Sequence, residues 1–173
     1  MKKIGKFLLL AGVMAFCIAH AQLLIAGDNQ GTEPTIRIDV PVKLETANVV
    51  FNMNHFVMRA DMPVGLRYMD TMSKAFKENN TKGQIIGIFY SEAAHFTLND
   101  KAYNAARGVS TGNPYKALIA DLISRGVQVE ECGESMKQHK WSNDDLLPGV
   151  KVNTAAVQRL IQLEQQGFVQ VQP

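Results

Sequence analysis

Cys132 and the three histidines His55, His95 and His139 are the residues of this chain best suited to nucleophilic, proton-transfer or metal chemistry once its N-terminal segment is set aside. Cys132 lies in the run Gly126-Val-Gln-Val-Glu-Glu-Cys132-Gly133-Glu-Ser-Met-Lys-Gln-His139. Val127 to Glu131 reads as a short strand, and Gly133 allows a turn into the next helix. In open α/β sheets ligands collect at the carboxyl ends of strands. The unpaired N–H groups and dipole of a helix N-terminus also favour a thiolate. One thiol at such a corner points to sulfur chemistry. The alternative is a buried structural cysteine, since free Cys is among the most buried residue types.

The charges around the thiol oppose one another. Glu130, Glu131 and Glu134 disfavour a thiolate, whereas Lys137, His139 and the helix terminus favour it. Strand alternation puts Glu131 on the opposite face from Cys132, which weakens its influence. Tyr90-Ser91-Glu92-Ala-Ala-His95 follows a buried strand and so should share the sheet edge with Cys132. That makes Ser91, Glu92 and His95 candidate neighbours of the thiol, with turn and cap roles as the alternative. Cys132 is the candidate nucleophile, and His95 or His139 the candidate to steer a proton. No pair among the three histidines has chelating spacing, so neither a metal site nor a cofactor is expected.

The elements that must position these residues follow from periodicity and punctuation. Ala47–Met53 reads as a strand. A helix opened by Asp61 and Pro63 carries Leu66, Met69, Met72 and Phe76 on one face. Gln84–Tyr90 is almost wholly apolar, as in the buried middle of a parallel sheet. Asn99 or Asp100 caps a short helix through Ala106. Asn113-Pro114 opens another, with Tyr115, Leu118, Ile119, Leu122 and Ile123 buried and Gly126 as its stop. Asn143–Leu147 suggests one helical turn, Pro148-Gly149 a turn, and Val150–Val152 a short strand. Asn153 or Thr154 caps a last helix with Val157, Leu160 and Ile161, stopped at Gly167, and Phe168–Val171 closes as a strand. Alternating strands and helices predict a single α/β domain, a parallel sheet of about five strands with helices on both faces.

The N-terminus reads as an address. Lys2, Lys3 and Lys6 precede an apolar run, Phe7–Ala19, of 13 residues. That is short of the roughly 20 needed to span a bilayer. Ala19-His20-Ala21 supplies the small residues of a cleavage site, so residues 1–21 are expected to be a cleaved signal peptide and the protein periplasmic. Phe16 before Cys17 argues against lipidation. Residues 22–46 read as a leader, extended over Ile36–Val42, and 47–173 as the domain. Removing 21 of 173 residues leaves 152, and losing three lysines and no acids takes the formal charge from +2 to −1. With no basic excess, nucleic acid is not an expected partner, and no stable membrane insertion is expected. One cysteine remains, with no second for an internal disulfide or a C-x-x-C.

Further features are read as structure or as contact surface. Gly108-Val-Ser-Thr-Gly112-Asn113-Pro114 has the composition of an anion cradle but no Walker lysine or dinucleotide fingerprint, so loop and cap is preferred. The methionines, Met69 and Met72 among them, fit core packing rather than a copper array. Trp141 is placed over the Cys132 turn or in a subunit contact. His55-Phe56-Val57-Met58 and Phe96-Thr-Leu98 fall outside the core elements and suggest a contact surface, hence a closed homo-oligomer.

The run from Gly126 to Met136, preceded by the Pro114–Arg125 helix and followed by the closing Val157–Val171 helix and strand, resembles the DsrE/DsrF-like family of sulfur-relay proteins. The resemblance extends from about Ala47 to Val171. It implies a flavodoxin-like parallel sheet, assembly as a homo-trimer or homo-hexamer, and a persulfide carried on Cys132. Sulfur donor and acceptor proteins or small thiols would be the partners. Lys137-Gln-His139-Lys140 stands where the tRNA-thiolation branch has a doubled arginine, and an exported chain would meet other partners than the cytoplasmic relays. A sulfur-handling protein is therefore the leading expectation. A non-catalytic binding or assembly protein of the same fold, with a structural cysteine, is the alternative.

Overall fold

The apolar stretch around Ile85, Ile86, Ile88 and Phe89 is too short for a helix and is flanked by polar residues. It forms β4 (Lys82–Phe89), the middle strand of a five-stranded sheet, in a computed structural model that describes residues 35–173. The expected signal peptide and residues 22–34 of the leader lie outside the described residues. Residues 40–173 form one compact unit. β1 (Thr46–Met53) runs parallel to β4 over its whole length, from Thr46 opposite Lys82 to Met53 opposite Phe89. β5 (Gln128–Cys132) and β6 (Lys151–Asn153) extend the sheet on one side, and β7 (Val169–Val171) on the other, all in parallel. The order is β6-β5-β4-β1-β7.

A parallel sheet is stable only with both faces covered. On one face Val49, Phe51, Phe89 and Val129 pack against α1 (Val64–Asn79) and α3 (Lys116–Ser124), through Leu66, Met69, Ile119 and Leu122. The other face carries Val50, Ile86, Ile88 and Cys132, covered by Ala156, Leu160 and Leu163 of α5 (Ala156–Gln165). The chain adds β4, β5 and β6 in turn to one side of β1. α5 then carries it back across the sheet to β7, so this helix starts beside the Cys132 strand. A smaller cluster, Leu98, Tyr103, Met136 and Leu146, joins α2 (Asp100–Arg107) to α4 (Gly133–His139).

Several local expectations change. Ile36, Ile38, Val40 and Val42 are exposed and belong to no strand. Pro63, not Asp61, is the N-cap of α1, and it ends a small antiparallel hairpin, β2 (Met58–Arg59) and β3 (Met62–Pro63). Ser91–Thr97 forms a 3-10 segment that turns Phe96 and Leu98 fully inward. Phe96 meets Phe89 and Tyr115 edge-on and stacks on Phe56. Phe96 and Leu98 are therefore core residues and not part of a contact surface. The Gly108–Pro114 loop spends its donors internally: Gly112 N–H reaches Asn104 Oδ1 and Asn113 N–H reaches Asp100 Oδ1, both at 2.8 Å. Asn113 Oδ1 accepts from Tyr115 N–H ahead of α3, at 2.9 Å.

Candidate functional site

Cys132 ends β5 and is the N-cap residue of α4. Its side chain projects to the α5 face, two residues on from Glu130, while Val129 and Glu131 point to the other face. The alternation expected between Glu131 and Cys132 holds. Ala156 N–H donates to Cys132 Sγ at 3.3 Å. Ala156 opens α5, whose N-cap is Ala155, a residue with no side chain to cap the helix. Neither Asn153 nor Thr154 takes that role. The orphan N–H of a helix first turn, normally satisfied by a cap side chain, is satisfied here by sulfur. A ten-residue helix thus directs an N–H and the positive end of its dipole at the thiol.

Two features hold this arrangement. Gly133 packs so closely under the β6–α5 connection that a Cβ would lie 2.8 Å from the Asn153 carbonyl oxygen and 3.2 Å from that of Thr154. Only glycine lets the segment carrying Ala156 approach. Below the thiol, Glu130 is buried and accepts from Arg159 of α5, Nη2 at 2.9 Å and Nε at 3.1 Å. Gln128 Nε2 and Asn153 Nδ2 also donate to it, at 2.6 and 3.1 Å. Burial pushes the Glu130 carboxyl up, but Arg159, Gln128 and Asn153 outweigh it and hold it below the usual value. The pair pins α5 to β5 one turn after Ala156.

The thiol lines an open cleft of about 590 Å³, together with Tyr90, Ser135, Lys137, Ala155 and Val157. Cys132 is 4% exposed, so whatever reacts with it must enter that cleft. Lys137 is exposed and paired with Glu134 at 2.7 Å, which raises it above an ordinary lysine. Ser91, in the left-handed region at φ 53°, donates its N–H to Ser135 Oγ at 3.3 Å and ties the end of β4 to α4. Glu92 turns instead to Phe56 N–H, at 3.4 Å.

Glu131 is fully buried behind the thiol strand. Burial raises its carboxyl well above the usual value, against the bonds from Thr97 and from the Cys132 backbone. Thr97 Oγ1 lies 2.7 Å from Glu131 Oε2 and 2.9 Å from the Ala94 carbonyl. The hydroxyl donates to the Glu131 carboxyl oxygen and shares its proton with the Ala94 carbonyl in a three-centre arrangement.

His95 and His139 meet each other, not the cleft. Their ring centroids are 5.5 Å apart, with Trp141 stacked on His139 at 4.3 Å and edge-on to His95 at 5.3 Å. The full length of α4, about 10 Å at 1.5 Å per residue, separates this cluster from Cys132. Trp141 therefore covers the C-terminal end of α4 and not the Cys132 turn. Among the described residues no group of three His, Cys, Asp or Glu side chains could hold a metal ion.

What sequence reading missed was a backbone group, Ala156 N–H, and the Glu130–Arg159 pair. The pair had a signal. An acid on the same face as Cys132 in a buried strand requires a cation, and Arg159 is the one basic residue in the last helix.

The DsrE/DsrF-like family model matches residues 53–173. Among solved structures, the protein of unknown function MTH1491 from Methanobacterium thermoautotrophicum has a similar fold. Its TM-score is 0.57 at 19% identity, over 73% of this chain and 99% of that one. The YchN protein from E. coli aligns with a TM-score of 0.45 at 16% identity, over 73% of this chain and 96% of its own. No curated protein matches. The family match covers well over half of the sequence and includes the thiol corner, the cleft and the returning α5: the chain belongs to the DsrE/DsrF-like family.

Proposed function

We propose that this protein carries sulfane sulfur as a persulfide on Cys132, in the periplasm, between sulfur donors and acceptors that are proteins or small thiols. In the loading step the Cys132 thiolate attacks the outer sulfur of a donor persulfide, R–S–SH. The donor S–S bond breaks, the electron pair leaves with R–S⁻, which takes up a proton, and Cys132–S–SH forms. In delivery an acceptor thiolate attacks the outer sulfur, and Cys132 departs as thiolate. Sulfur only changes hands, so no oxidant is consumed. The observation that carries this reading is the Ala156 N–H directed at Sγ in an open cleft. A donor at that position stabilises both the attacking thiolate and the departing one. Family membership supports the sulfur-relay role.

The test is intact mass after exposure to polysulfide. The native protein gains sulfur that a reductant removes, and Cys132→Ser gains none. Equal gain by both, or by neither, sinks the proposal. A second reading, a binding or assembly protein with a structural cysteine, is favoured by the low exposure of Cys132. It requires that native Cys132 resist alkylation until the chain unfolds.

Export is supported by the basic and apolar N-terminal residues, and mass analysis of protein from a periplasmic fraction checks it through cleavage before Gln22. A homo-trimer or homo-hexamer is supported by exposed Val157 and Ile161 on α5 and Val169 on β7. Light scattering giving the mass of one chain at micromolar concentration would rule it out.

A further inference from the structure

Two imidazoles, His95 and His139, meet edge-on at the far end of α4. His95 Nδ1 lies 3.1 Å from the Glu92 carbonyl oxygen, which can only accept, so Nδ1 carries the proton and Nε2 keeps its lone pair. Metal-binding histidines are oriented in this way, with the second nitrogen donating to a carbonyl. Burial, helped by Arg107 and His139, lowers His95 against the opposing bond to Glu92. His139 is fixed differently: its face lies flat on Trp141, at 16° between planes, which leaves the nitrogens on the ring edge free. Among the described residues, His139 nitrogens and His95 Nε2 have no hydrogen-bond partner.

The spacing fits a shared ion. With metal–nitrogen bonds of about 2.1 Å and ligand angles between square-planar and trigonal, two coordinating imidazoles have centroids roughly 4.6–5.6 Å apart. His95 and His139 stand 5.5 Å apart with their planes 64° from parallel. Arg107 opposes a cation, and among the described residues no carboxylate joins the two rings, so the site is a weak, exchangeable one.

We propose that His95 and His139 bind one divalent transition-metal ion of the imidazole-preferring class, through two ring nitrogens with water in the remaining positions. Among such ions Cu²⁺ binds most tightly, ahead of Ni²⁺ and Zn²⁺. The site is separate from Cys132 and stands whether or not the thiol carries sulfur.

Trp141 is the only tryptophan in the sequence and touches both imidazoles, so its fluorescence reports the ion directly. Untagged protein is titrated with Ni²⁺, and the Cys132→Ser protein with Cu²⁺, so that copper oxidation of the thiol cannot mimic binding. Quenching should saturate at one equivalent per chain and be reversed by excess chelator. His95→Ala and His139→Ala should each weaken binding by about tenfold or more. Circular dichroism checks that the variants are folded, and His139→Gln keeps a polar side chain of similar reach. Quenching that fails to saturate, that persists unchanged in the double His variant, or that depends on Cys132 overturns the proposal.

Discussion

At its N-terminal end α4 receives Cys132 from β5, buried, facing an N–H of another helix and underpinned by a buried ion pair. At its C-terminal end, two turns on, His139 and Trp141 lie partly or fully in solvent and meet His95 from the 3-10 segment by edge-on ring contacts alone. The first end is made of backbone and buried charge, whose geometry the sheet dictates. The second is made of side chains that can shift as rings. A group that must be presented in one orientation belongs at the first end. A site that must open for a hydrated ion suits the second.

The contrast is broken most severely at Arg159. Arg159→Met leaves Glu130 buried without its cation, a loss of roughly 3–5 kcal/mol for a buried pair, nearer the lower figure because Arg159 keeps an exposed edge. Urea unfolding measures it. Since the pair seats α5 beside Cys132, native alkylation of the thiol should also change, whereas Trp141 fluorescence should not. Adding Glu130→Gln should recover part of the stability.

Gly133→Ala comes next. Its methyl group would stand 2.8 Å from a backbone oxygen that cannot swing aside as a side chain would. A cost of about 1–3 kcal/mol is expected for such overpacking. The Ala156 N–H moves away from Sγ, so sulfur loading should slow by more than the stability loss explains. Loading at the native rate would show that the N–H contact is dispensable.

Legibility in the sequence followed how local each cause is. The β4 run, the Leu66–Met69 face of α1 and the stop at Gly126 are set by neighbours a few residues away, and each appears where periodicity put it. Gly126 has φ 89°, as a helix stop of that kind requires. Ser91–Thr97 was opaque because a 3-10 segment has no strong apolar period. The cap of α5 was misplaced at Asn153 or Thr154 because its real partner is a sulfur 24 residues away. The corner position of Cys132 was legible, but the meeting of His95 with His139 depends on topology and left no mark in either local stretch.

Glu131→Gln sharpens the role of the strand behind the thiol. Burial raises its carboxyl, so the folded state binds the proton more tightly than the unfolded chain, whose value is near 4.5. Its stabilising contribution is complete below that value and is lost as pH rises through the raised one. Wild type should therefore lose stability relative to Glu131→Gln as pH increases, by up to about 1.4 kcal/mol per pH unit across that window. Urea midpoints of both proteins at a series of pH values provide the comparison. A constant gap would mean that Glu131 is ionised in the fold.

The smallest effect is expected from Trp141→Leu. Leucine keeps apolar cover over the buried cluster of Met136 and Leu146 but removes the stack on His139 and the edge contact with His95. Aromatic pairs of this kind contribute about 0.5–1.5 kcal/mol beyond the area they bury, and partial exposure places this one toward the lower end. The melting temperature should fall by only a few degrees. In chelator-treated buffer the rate at which Cys132 gains sulfur should stay within about twofold of wild type, because packing at one end of α4 does not set the backbone contact at the other. A tenfold fall in loading with stability nearly intact would mean that the ring cluster acts on the thiol along the helix. The two ends would then form one device.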